Sequence, residues 1–131
     1  MPARRPSDAA LARLAVAAVW IWHGLVPKLL ARDAGEVRLM EAGGLQGEAA
    51  IRAVLAVGAA EVAFGALILL WWRARWPMLA TVLVMPLATL GVAATAPAFL
   101  DDAFTPVTLN LATAVLAFIA WRGADVEGRE G

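Results

Sequence analysis

Four apolar runs constrain this chain more than anything else in it: about residues 11–30, 53–72, 77–96 and 106–121. Each approaches the roughly 20 residues that a helix needs to cross a bilayer, the last being short at about 16. With 62% apolar residues and a mean hydropathy of +0.73, the chain lies outside the usual soluble range. The expectation is therefore an all-α fold, an integral membrane four-helix bundle in a single domain over 1–131, with helices at about 8–30, 52–72, 77–96 and 106–121. Spans and connections consume nearly all of the 131 residues, so no soluble catalytic domain is expected.

The formal net charge is zero, and the basic residues sit at span ends rather than in a stripe, which argues against a nucleic-acid partner. There is no cysteine, so an iron–sulfur cluster, a disulfide relay and a cysteine zinc site are not expected. The single histidine, His23, rules out bis-His haem ligation within one copy, and no metal or haem is expected.

Ser7 is placed to cap a helix that carries Asp8 in its first turn. The basic start of the chain resembles a signal peptide. The apolar segment after it is nevertheless too long and ends in Lys28, Arg32 and Asp33 without a small-residue cleavage site, so it is expected to stay as a span. Arg13 would lie at the membrane surface. Pro27 sits inside the first run and cannot donate to the carbonyl of His23, which predicts a bend over His23 to Pro27 and a carbonyl in need of a donor. The polar stretch after Leu30 holds a short helical segment around Glu36 to Glu41, with Val37, Leu39 and Met40 suited to rest on the membrane surface while Arg38 and Glu41 face water.

The second run carries Glu61 near its middle. Gly58, Glu61 and Gly65 share one helical face, a small-residue face that lets a neighbour approach the carboxyl closely. The run ends in WWRARW, whose Trp71 and Trp72, with Trp76, suit a headgroup boundary. The third run has Thr81, Pro86, Thr89 and Gly91 but no charge, and reads as a packing and lipid-facing helix. Thr105 and Pro106 mark the start of the fourth by capping and first-turn geometry. There Asn110, Thr113, Ala114 and Ala117 form a small, partly polar face that packs inward.

With four spans, both termini and the connection between the second and third helices share a side. That side holds Arg4, Arg5, Arg13, Arg73, Arg75, Arg122 and Arg129, against Lys28, Arg32, Arg38 and Arg52 opposite. The imbalance predicts cytoplasmic termini of a multi-pass protein in the cell (inner or plasma) membrane.

Depth follows from the 1.5 Å rise per helical residue. His23 lies roughly 15 Å from the inner boundary set by Arg13, Glu61 roughly 14 Å from the outer one set by Arg52, and Asn110 roughly 18 Å from Arg122. In a core about 30 Å thick these three polar groups, from three helices, converge on one layer. Lys28, about 7 Å further out, either snorkels to the surface or turns inward, in which case Glu61 is its expected ion-pair partner. Trp20 shares a face with His23 and either flanks the layer or packs in the core. Ionisable groups at mid-membrane are costly to bury, which favours ligand binding or proton handling by His23, Lys28, Glu61 and Asn110 over simple helix-to-helix bonding.

The segments WIWHGLVPKLL (Trp20 to Leu30), Glu36, GAAEVAFG around Glu61 and AFTPVTLNLA around Asn110 resemble, in order and approximate spacing, the small DoxX-like membrane proteins. The likeness covers about Trp20 to Ala117. One departure is Thr105-Pro106, where the family pattern has Asn-Pro, so a side-chain amide contact at that point is in question. The resemblance implies a four-helix membrane bundle and association with quinone-linked or other redox systems, and it marks His23, Pro27, Lys28, Glu36, Glu61, Pro106 and Asn110 as motif positions without assigning a reaction.

Together these readings predict a polar pocket of His23, Lys28, Glu61 and Asn110, flanked by Trp20, that binds a quinone-like lipophilic ligand in an accessory membrane subunit beside a redox enzyme partner, with no catalysis by this chain alone. The alternative is an assembly or chaperone-like scaffold whose polar layer is purely structural. A proton or small-solute carrier ranks below both, since no inverted repeat is evident. Homo-oligomer formation is left open.

Overall fold

The computed structural model describes residues 7–101 and 106–127, and among these there is no strand. Helix α1 (Asp8–His23) begins as expected, with the Ser7 hydroxyl accepting from the amide of Ala10 at 3.2 Å. It runs without a break into a π-helical segment, Gly24–Leu30, that contains Pro27. The missing proline donor is thus accommodated by a wider turn rather than by a simple kink. Ala31 donates to the carbonyl of Val26 and Asp33 to that of Pro27, both at 2.8 Å.

Arg32, at φ 50°, then turns the chain, and Asp33 caps α2 (Ala34–Ala42) by accepting from the amide of Gly35 at 2.8 Å. Helix α3 (Glu48–Leu70) starts four residues before the expected Arg52, because Glu48 and Arg52 form an i,i+4 pair at 3.1 Å that carries the helix out of the apolar run. Helix α4 (Trp76–Thr95) has Pro77 in its first turn, a 3₁₀ turn (Pro97–Leu100) follows, and α5 (Pro106–Glu127) outlasts its apolar stretch. Thr105, expected to cap α5, lies outside the described residues.

Three helical stretches among the described residues are long and apolar enough to cross a membrane: Asp8–Leu30, Glu48–Leu70 and Trp76–Thr95. The apolar part of α5, Val107–Gly123, is shorter.

The long helices pack side by side in the order α3, α1, α5, α4. Helices α3 and α4, though consecutive in the chain, do not pack along one another, so the ring is open between them. The core that joins the rest comprises Val16, Ala17, Ile68, Met78, Ala117 and Ala120. The small-residue face predicted on α3 is where α1 and the π segment cross it. A methyl group on Gly58 would stand 2.7 Å from Cβ of Lys28 and 2.9 Å from the carbonyl of Gly24, and one on Gly65 would stand 2.6 Å from Ile21. On α5, Thr113, Ala114 and Ala117 are buried as expected.

Arg13, expected at the level of the membrane surface, is covered by the protein at its end of the bundle: it is 4% exposed, its Nη2 donates to the carbonyl of Ala74 at 2.8 Å, and its guanidinium lies over Trp72. The turn between α3 and α4 leaves carbonyls free, and a planar guanidinium with five donors can reach one while stacking on an indole. Arg75 does the same toward α5, donating to the carbonyl of Trp121 at 3.3 Å and stacking on its ring. Gly123 packs against Ala9, so the start of α1, the α3–α4 turn and the end of α5 form one end of the molecule. Trp71, Trp72 and Trp76 are exposed there.

Candidate functional site

The site is built around Lys28. Carried on the π segment, it is 5% exposed and points inward rather than snorkelling. Its ammonium lies 3.0 Å from Glu61 Oε2 on α3 and 3.4 Å from Glu36 Oε1 on α2, and it donates to the carbonyl of His23 at 3.4 Å. In an α-helix that carbonyl would accept from the amide of residue 27, which is a proline; the wider π turn hands it to the backbone of Lys28, so the bend and the lysine belong to one segment. The ammonium thus makes one hydrogen bond, to a carbonyl, and two ion-pair contacts to carboxylates. Off-axis geometry makes the Glu61 contact an ion pair rather than a well-formed hydrogen bond, and Oε2 has no other partner.

A cleft of about 740 Å³ opens beside this cluster, in the gap between α3 and α4. His23, Lys28, Glu36 and Glu61 lie on its wall. The apolar part of the wall comes from Val57, Ala60 and Phe64 on α3 and from Val84, Met85, Ala88 and Val92 on α4. Val57, Ala60, Val84, Ala88 and Gly91 line the cleft and are at the same time exposed, so it opens sideways, toward the surface that a membrane-spanning helix presents to lipid. Helix α2 covers one end, turning Glu36, Leu39 and Met40 into the cleft by their i, i+3, i+4 spacing. Leu39 and Met40 therefore face the protein, where the sequence suggested a helix lying on the membrane surface.

Trp20 and Asn110 also line the cleft, each tied to α4. The indole Nε1 of Trp20 donates to Thr81 Oγ1 at 3.0 Å, and its ring meets Phe64 edge-on at 4.9 Å between centroids. The amide of Asn110 donates through Nδ2 to Thr89 Oγ1 at 2.9 Å. Thr81 and Thr89 direct their own hydrogens to the carbonyls of Pro77 and Met85, so Trp20 and Asn110 must be the donors in these pairs.

All five predicted residues, Trp20, His23, Lys28, Glu61 and Asn110, thus share one cavity wall, though only Lys28 and Glu61 touch within the charge cluster. Glu36 completes that cluster from a polar connection whose fold the apolar pattern does not encode. Thr81 and Thr89 were passed over as packing residues, yet hydroxyls in an otherwise uncharged apolar helix are the usual partners for side chains crossing from neighbours.

The arrangement combines a charged end, in which two carboxylates share one ammonium beside an imidazole without a hydrogen-bond partner, with an apolar trough that leads out between two helices. Chemically it suits an amphiphile with a polar head and a hydrocarbon tail, within the usual size range of small-molecule pockets.

No curated protein and no solved structure matches the chain. The model of the DoxX-like family matches residues 17–118, a segment that holds Lys28, both of its carboxylate partners, His23, Trp20 and Asn110. The chain belongs to the DoxX-like family of proteins, and its long apolar helices make it a membrane protein.

Proposed function

We propose that this protein binds a lipophilic ligand with a small polar head, a quinone-like ring being the best fit, in the cleft between α3 and α4, and that it serves as an accessory membrane subunit of a redox system. The observation that carries the reading is the buried Lys28–Glu61–Glu36 cluster at the closed end of an apolar cleft with a lateral opening. Ionisable groups at this depth are costly unless used, and a pocket of this size takes a single ring and the start of its tail. His23 offers the head a hydrogen-bonding edge, and Lys28 holds the two carboxylates in place.

In this reading α5 crosses the membrane as a fourth span and the end that carries Arg13, Arg75 and Arg122 faces the cytoplasm. With Lys28 buried, only Arg32, Arg38 and Arg52 remain as surface cations at the opposite end.

The test is a titration of protein in lipid nanodiscs with a short-chain benzoquinone, beside the Glu61→Gln variant. An affinity that differs between the two proteins supports the pocket. Equal affinity in both, or none in either, removes it.

A scaffold reading is favoured by one observation: Lys28 is saturated within the protein and joins α2, α3 and the π segment. It predicts that Glu61→Gln lowers thermal stability in detergent while no quinone response exists to be altered.

A further inference from the structure

The polar groups around the cleft are unequally committed, and the imbalance specifies the head group more narrowly than size or polarity does. The donors are nearly exhausted. Lys28 donates to the His23 carbonyl and is ion-paired with Glu36 and Glu61; the indole of Trp20 is on Thr81; Thr89 is on Met85. What remains is the imidazole of His23 and one N–H on Asn110, since the other amide hydrogen of Asn110 goes to Thr89.

Acceptors are in surplus. A carboxylate has about four lone-pair sites, and Glu36 and Glu61 together meet one ammonium. Oε2 of Glu61 is buried against the ammonium, while the 17% exposure of the Glu61 side chain and the 22% of Glu36 leave carboxylate edges on the cleft, and the amide oxygen of Asn110 and the ring of His23 lie on the same wall. The charges point the same way: two carboxylates against one ammonium leave the closed end short of positive charge, which disfavours an anionic head such as a phosphate.

We propose that the cleft is selective for a lipophilic ligand whose head donates hydrogen bonds through a ring hydroxyl, a phenol or quinol, over the acceptor-only carbonyl form of the same ring. The inference rests on the ligand pocket proposed above and assigns its chemical sense: Glu61 receives the ring hydroxyl and His23 or Asn110 a second one. A carbonyl head leaves Glu61 facing another acceptor in a poorly solvated place, which is the costly combination. A hydroxyl satisfies it.

The experiment uses the full chain in nanodiscs and two matched pairs of probes. The first is a long-chain 4-alkylphenol and its methyl ether, which differ in the donor alone. The second is a decyl benzoquinol and the corresponding benzoquinone, titrated without oxygen. The expected result is at least about tenfold tighter binding of the phenol than of the ether, and of the quinol than of the quinone, with the phenol preference falling below about threefold in Glu61→Gln. Equal affinities within the phenol pair, a tighter ether, or a phenol preference that survives in a folded Glu61→Gln protein overturns the inference. Phenol selectivity with no binding of quinol or quinone leaves the hydroxyl-donor site standing and removes the quinone-like reading, so the two fail separately. The wild-type phenol pair decides the matter if the variant does not fold.

Discussion

Lys28 is the residue on which the cluster depends, and its neighbours differ in how much they depend on it. Replacing it by Met strands two carboxylates, one of them 17% exposed, and breaking such a buried pair costs about 3–5 kcal/mol. Glu36→Gln removes a longer contact nearer the surface and is expected to cost under about 1 kcal/mol. Reversible unfolding in mixed micelles should rank wild type, Glu36→Gln and Lys28→Met in that order, and Lys28→Met/Glu61→Gln should recover part of the loss. A Glu36→Gln protein as unstable as Lys28→Met would mean that the carboxylate on α2, not the ammonium, organises the cluster. At this scale the sequence was informative about type and depth: His23, Glu61 and Asn110 reach one cavity wall because a helical rise places them there. Direction was not legible. A lysine stem can reach outward or inward with equal ease, and what turns it inward is the His23 carbonyl together with two carboxylates, one of them supplied by a separate helix.

Among the elements, the crossing of α3 with the π segment tolerates no added atom, whereas α4 does. Gly58→Ala places a methyl against Cβ of Lys28 and the Gly24 carbonyl, and overpacking of this kind costs about 1–3 kcal/mol. Gly91→Ala meets nothing within 4 Å and should be neutral or stabilising by up to about 1 kcal/mol, as for any exposed helical glycine. Unfolding midpoints of the two variants check this, and a Gly58→Ala protein as stable as wild type would contradict the close crossing. Helix α2 has the opposite character. It has no buried residue, and left-handed backbone flanks it at Arg32 (φ 50°), Gly44 (φ 101°) and Gly47 (φ 53°). Its amides should exchange with solvent at least about tenfold faster than those at the centre of α3; equal protection would show that α2 is fixed more firmly than its contacts imply. The long helices were readable from the apolar runs and Ser7, and the Gly58 and Gly65 face from its spacing. The π segment was readable only as a bend, because a lost proline bond does not say whether the ladder kinks or widens. The role of α2 was hidden because its cleft-facing Leu39 and Met40 are the same residue types that would lie on a lipid surface.

At the scale of the whole molecule, the open side of the ring bears on the reservoir from which the proposed ligand is drawn. A cleft that opens between α3 and α4 meets hydrocarbon before it meets water, so the ligand's activity there is set by how many lipid molecules share it. Binding of a lipophilic probe should therefore fall when empty vesicles are added at constant volume and stay nearly unchanged when buffer is added at constant lipid. The reverse pattern would show that the probe is supplied from water and not from the lipid phase. On the proposed function, the gap between two consecutive helices makes this protein a reader of composition in two dimensions, with affinities properly expressed as mole fractions in the membrane rather than as concentrations in solution.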